Sequence, residues 1–78
     1  MSKEDLKTQF PVGSTWQHKK GDIYVVNGYL TLKVGKSHQH AELDECEVVV
    51  YSPINSLNDD YGRFSSDFPS SFTKISNS

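Results

Sequence analysis

Cysteine is almost missing from these 78 residues. Cys46 stands alone, so the chain cannot staple itself with an internal disulfide, and a reducing, cytoplasmic setting is expected. Long apolar runs are missing too: no stretch approaches the roughly 20 apolar residues that span a bilayer. Met1-Ser2-Lys3-Glu4-Asp5 lacks the apolar segment of a secretory leader. Arginine is scarce, with Arg63 the only one. A formal charge of -2 and a pI near 5.8 argue against nucleic acid as partner, because its binders carry a basic excess. No Gly-rich phosphate loop, Ser-x-Gly elbow or recognisably spaced carboxylate pair occurs. Together these absences speak against a membrane protein, a disulfide miniprotein and a large catalytic fold. A chain this size buries only about 60% of its unfolded surface. One thin core, and therefore one domain, is expected.

What the chain does have is regular punctuation. Gly13, Gly21, Gly28 and Gly35 fall at intervals of 8, 7 and 7 residues, with β-branched and aromatic stretches between them. That spacing predicts a mainly β fold, either a small antiparallel SH3-like barrel or a strongly twisted sheet of about five strands. Residues 1–12 read as an N-terminal arm, residues 13–75 as the β domain and residues 76–78 as a disordered tail. In the arm, Leu6 and Phe10 are four apart and would share one face of a short helical turn, with a frayed tail as the alternative.

Ser14 to His18 is the first expected strand, and Lys19-Lys20-Gly21 a three-residue hairpin loop with Gly21 at positive φ. Asp22 to Asn27 returns, which opposes Trp16 to Tyr24 and His18 to Asp22. Asn27-Gly28 signals a two-residue turn into Tyr29–Val34, where Leu30, Leu32 and Val34 alternate with Tyr29, Thr31 and Lys33. Gly35 to Glu47 reads as an exposed loop. Val48-Val49-Val50-Tyr51 is the densest β-forming run and is expected as a central strand covered on both faces, ended by Pro53. Tyr61 to Ser65 is a further strand candidate. Phe68, Phe72 and Ile75 suggest a helical turn leading into a last strand, with all three facing the core.

Taken in order, Trp16-x-His18-x-Lys20-Gly21-Asp22-x-Tyr24-x-Val26, His40-x-Glu42, Val49-Val50-Tyr51 and Arg63 with Phe68 downstream resemble a small bacterial and phage family, the domain of unknown function numbered sixteen fifty-three. Asp22 stands where that family usually has Asn, and Leu43 where it usually has Thr. The resemblance spans almost the whole chain. It implies a compact, SH3-like β domain with no assigned reaction.

Several polar groups could carry chemistry. His38, His40 and Glu42 would share a face if extended, and could converge on a divalent metal with His18 or Cys46; the plainer reading is a solvated loop. His18 with Lys19 and Lys20 could hold a phosphate or an acidic peptide, although lysines at a hairpin tip also simply protect an edge. Cys46 lies between Glu45 and Glu47, which oppose a thiolate, so it reads as a small, half-buried apolar residue. Arg63 could clamp a carboxylate or phosphate with its fork, or pair with Asp59, Asp60 or Asp67 nearby. Charge is uneven: residues 1–40 carry a net +3 and residues 41–67 a net -6.

The sequence therefore predicts a non-catalytic binding module, without cofactor or bound metal, that recognises a protein or a small anionic ligand. Trp16, His18, Lys20, Tyr24, His40, Glu42 and Arg63 are its expected contact residues. The chain is expected as a monomer or an edge-strand dimer. Two other readings are a phage-encoded inhibitor of a host enzyme or sequesterer of a signalling nucleotide, and a metal-binding domain built on His38, His40 and Glu42.

Overall fold

The computed structural model describes residues 3–77. Its hairpin forms around Gly21 as the sequence predicts. Strand β1 (Thr15–His18) pairs with β2 (Ile23–Thr31), with Trp16 opposite Tyr24 and Gln17 opposite Ile23. Gly21 has a φ of +109°, a conformation open to glycine and costly for other residues. The His18 N–H donates to the Asp22 carbonyl at 2.7 Å and closes the loop.

Strands β3 (Glu47–Pro53) and β4 (Tyr61–Phe64) continue an antiparallel meander. A single helical turn, α2 (Phe68–Ser71), then feeds β5 (Phe72–Ser76), which returns to pair with the other side of β1. The sheet order is β4-β3-β2-β1-β5, with β4 and β5 as its two edges. The sheet is thus open and the barrel alternative is not realised. The chain begins with a helix, α1 (Lys3–Gln9). Among the described residues no helix is long and apolar enough to cross a membrane.

Side chains alternate across a strand, and the register assigns them to two faces. Trp16, His18, Tyr24, Val26, Tyr29, Val49, Tyr51, Tyr61, Arg63 and Phe72 lie on the inner face. Thr15, Gln17, Ile23, Val25, Leu30, Val48, Val50, Phe64 and Thr73 lie on the outer face. Leu6 of α1, Phe10 just after it and Phe68 of α2 cover the inner face and are fully buried. The ring of Phe68 stacks on Phe72 at 4.2 Å and meets Phe10, Trp16 and Tyr51 edge-on at 5.2 to 5.4 Å. The Tyr29 hydroxyl donates to the Phe10 carbonyl, anchoring the end of α1 to β2. Leu6 and Phe10 thereby join residues expected in an appended arm to the core of the β domain.

Four expectations need correction. Asn27-Gly28 is not a turn but a bulge inside β2, between Val26 and Gly28. A two-residue type I′ turn needs positive φ at both positions, and neither residue has it. Instead the Asn27 amide reaches Ser52 Oγ and Asp60 Oδ1, which holds the extra residue in place. The bulge shifts the alternation, so Tyr29 faces inward and Leu30 is 44% exposed. Secondly, β3 lies between β2 and β4, one place from the centre of the sheet, although its outward Val48 and Ser52 are buried along with its inward Val49 and Tyr51. Thirdly, Ile75 is exposed, because β5 slips by one residue against β1 near Thr15. Finally, Ser76, expected in a disordered tail, pairs with Thr15 in β5, and the Asn77 side chain accepts a bond from Lys74; Ser78 lies outside the described residues.

Candidate functional site

Phe10 packs on Trp16 at one end of the inner face, and Phe68 of α2 packs over Phe72 and Tyr51 toward the other, where the side chains become more exposed. His18 and Tyr24 flank that more exposed end on the β1–β2 hairpin, and Tyr51 and Tyr61 extend it across β3 and β4. The rings form a continuous strip, edge-to-face except for the tilted Tyr51–Tyr61 pair. Tyr24 meets Tyr51 at 5.3 Å, Phe72 at 5.5 Å and His18 at 6.5 Å, while Tyr51 meets Tyr61 at 5.8 Å. His18 packs edge-on against Phe72 at 5.0 Å. Tyr51 and Phe72 are buried, His18 and Tyr24 are half-buried, and Tyr61 is exposed. Such pairs stabilise beyond their burial, and they fix the rings that the site presents.

Arg63 reaches across the gap between the two sheet edges. Its guanidinium lies 5.1 Å from the centre of the Phe72 ring. Nη1 donates to Ser71 Oγ at 2.9 Å and to Asp67 Oδ2 at 3.3 Å. Both bonds use the same nitrogen. The side chain is 28% exposed, and the edges β4 and β5 are tied together through it rather than through backbone pairing. Arg63 thus keeps part of its planar fork for donation while its position is fixed by stacking and two hydrogen bonds.

Donors predominate at this end, with the Asp67 carboxylate on Arg63 as the acceptor among them. The Lys20 backbone N–H donates to His18 Nδ1 at 3.1 Å, so the neutral imidazole carries its proton on Nε2. His18 Nε2–H, the Tyr24 and Tyr61 hydroxyls and Arg63 are all donors. The Tyr24 phenol is held above its ordinary ionisation range, first by burial and then by Asp22, Tyr51 and Tyr61, with Arg63 acting in the opposite sense. Tyr24 therefore stays a neutral donor at neutral pH.

The structure brings His18, Tyr24 and Arg63 into this one region, and separates the other expected contacts from it. Trp16 is a core residue at 6% exposure; its indole N–H donates to Ser14 Oγ at 2.9 Å. Lys20 is exposed at the hairpin tip, where its backbone rather than its ammonium engages His18. His40 and Glu42 sit in the loop after β2, around a 3-10 turn over Ala41–Leu43. That loop is stitched to Leu32, eight residues beyond Tyr24 and so roughly 25 Å away along the strand. His40 Nδ1 faces Glu42 at 3.6 Å, while His38 Nδ1 is occupied by the His40 backbone N–H at 3.0 Å. Among the described residues no group of three or more His, Cys, Asp or Glu is arranged to hold a metal ion. The extended geometry that would align His38, His40 and Glu42 is not adopted.

Of the three acids the sequence offers to Arg63, Asp67 is the one that pairs with it, whereas Phe72 and Ser71 were not foreseen as its partners. Asp67 carried a signal, being one of three nearby acids. Phe72 and Ser71 carried none, since their contact with Arg63 depends on how the sheet curls. Comparison with known proteins finds no matching family model, curated protein or solved structure.

Proposed function

We propose that this protein is a non-catalytic binding module that recognises an anionic group, carried by a protein or a small ligand, at the more exposed end of its inner face. Arg63 would provide the charge and the fork, with His18 Nε2–H and the Tyr24 and Tyr61 hydroxyls as neutral donors around it. The observation that carries this reading is the fixed guanidinium, laid on Phe72 and bonded to Ser71 and Asp67. A side chain already ordered before binding loses less freedom when it binds, and charge-assisted bonds to carboxylate or phosphate are the strong ones. The resemblance read from the sequence points to the same region, because His18 and Tyr24 of the hairpin block and Arg63 downstream are among the positions that carry it.

Calorimetric titration with inorganic phosphate and with acetate tests the reading. Wild type should bind at least one of them in the millimolar range. Arg63→Lys keeps the charge but loses the fork, and should weaken binding about tenfold, the equivalent of one charge-assisted hydrogen bond of roughly 1.5 kcal/mol. Asp67→Asn removes the competing carboxylate and should strengthen binding. Equal affinity of wild type and Arg63→Ala would end the proposal.

A further inference from the structure

We infer that Asn27 is a site of covalent modification: its side chain cyclises onto the backbone nitrogen of Gly28 and deamidates, and a clasp formed by Ser52 and Asp60 holds that reaction back while the sheet is intact. Asparagine is chemically labile, and most so before glycine, where no side chain shields the attacking nitrogen. Asn27 is exposed, and beyond the chain neighbours no atom lies within 4 Å of the place a Cβ of Gly28 would take. The reaction needs only water. The Gly28 nitrogen attacks Asn27 Cγ, the new N–Cγ bond closes a five-membered succinimide, the Cγ–Nδ2 bond breaks, and ammonia leaves with the proton from Gly28. Water then opens the ring at one carbonyl or the other, giving aspartate or isoaspartate.

The bulge governs both the rate and the consequence. As the extra residue of β2, Asn27 has no opposite number on β3, and its side chain makes the cross-strand link instead. Nδ2 donates to Ser52 Oγ and, at 3.1 Å, to Asp60 Oδ1, while Ser52 Oγ donates to the same carboxylate at 3.1 Å. Ser52 is fully buried. Cyclisation must first break both Asn27 bonds, one of them to a charged acceptor, and swing Cγ back toward its own strand. Deamidation therefore proceeds through local opening.

Once it has run, the clasp does not re-form. The product carries a carboxylate where Nδ2 lay against Asp60, which sets two like charges side by side. Isoaspartate also adds a methylene to the backbone of β2, next to the Gly28–Val50 pair. Ser52 follows Tyr51 and Asp60 precedes Tyr61, so release of the clasp reaches the two tyrosines that extend the candidate site.

Peptide mapping by mass spectrometry of the full chain, aged at neutral pH, tests this; exchange of amide for carboxyl reads in the mass of the fragment 21–33. Folded wild type should convert at Asn27 far more slowly than the same chain unfolded in guanidinium chloride. Asp60→Ala, at an exposed position, should convert about tenfold faster than wild type, the extra opening expected on losing a hydrogen bond to a charged acceptor. Asn27→Asp mimics the aspartate product and should lower the urea midpoint, and Asp60→Asn in the same chain should restore it by exchanging the two groups. Trp16 emission reports that each variant is folded. Equal rates in folded and unfolded wild type overturn the inference, as does an Asn27 that stays unconverted in the unfolded chain. A folded Asp60→Ala that converts no faster than wild type, or an Asn27→Asp chain as stable as wild type, overturns it too.

Discussion

Replacing Phe68 by alanine probes the closure of the inner face. Phe68 is fully buried and contacts Phe10, Trp16, Tyr51 and Phe72, so it links the segment that follows α1 with β1, β3 and β5 through one ring. Emptying a buried phenylalanine site costs about 3–5 kcal/mol. A domain of 78 residues holds only some 4–12 kcal/mol of stability at typical values per residue. The loss is therefore a large share of the total, and a urea midpoint should fall by roughly 3–5 M at a slope near 1 kcal/mol/M. Trp16 is the sole tryptophan and one of the rings against Phe68, so its emission reports the transition without a label. Phe68→Leu, which keeps most of the volume, should cost about 1.5 kcal/mol or less. If Phe68→Ala loses under ~1 kcal/mol and leaves Trp16 emission unchanged, α2 does not close the core and the arrangement around Phe72 and Arg63 fails with it.

Two further outcomes follow from single positions. Gly21→Ala meets no atom within 4 Å, so its cost is purely that of the +109° φ, about 1–2 kcal/mol, readable as a lower urea midpoint. Tyr24 and Tyr29 are both shifted upward by burial, and Tyr24 further by Asp22, Tyr51 and Tyr61. The folded state holds those protons more tightly than the unfolded chain. Stability should be constant with respect to these groups below their unfolded value of 10.0 and fall as pH rises beyond it; Tyr24→Phe should flatten that slope in unfolding experiments run above pH 10.

The first hairpin was legible because its signals are local and agree: Gly21 at the loop, Trp16 opposite Tyr24, and apolar residues on the correct alternation. Asn27-Gly28 misled for a physical reason. The same dipeptide serves a turn or a bulge, and long-range partners decided between them, since Ser52 and Asp60 satisfy the Asn27 side chain only if the strand runs on. That one extra residue turned Leu30 outward and Tyr29 inward, which no reading of Tyr29–Val34 alone could reveal. Val48–Tyr51 was legible as an interior strand because it is apolar on both sides, and both outward Val48 and inward Val49 are buried. At the candidate site, His18 and Tyr24 were readable from the hairpin block. The partnership of Arg63 with Phe72 and Ser71 arises from the curl of five strands, and strand curl leaves no mark in local spacing.

The central claim, that donors gathered around Arg63 receive an anion, is tested most directly by mapping amide and side-chain shifts while phosphate or acetate is added. The account predicts saturable changes at His18, Tyr24, Tyr61 and the Arg63 guanidinium, with the loop around His38 and His40 silent. Changes centred on that loop, or none at the four named residues at saturating anion, would contradict it.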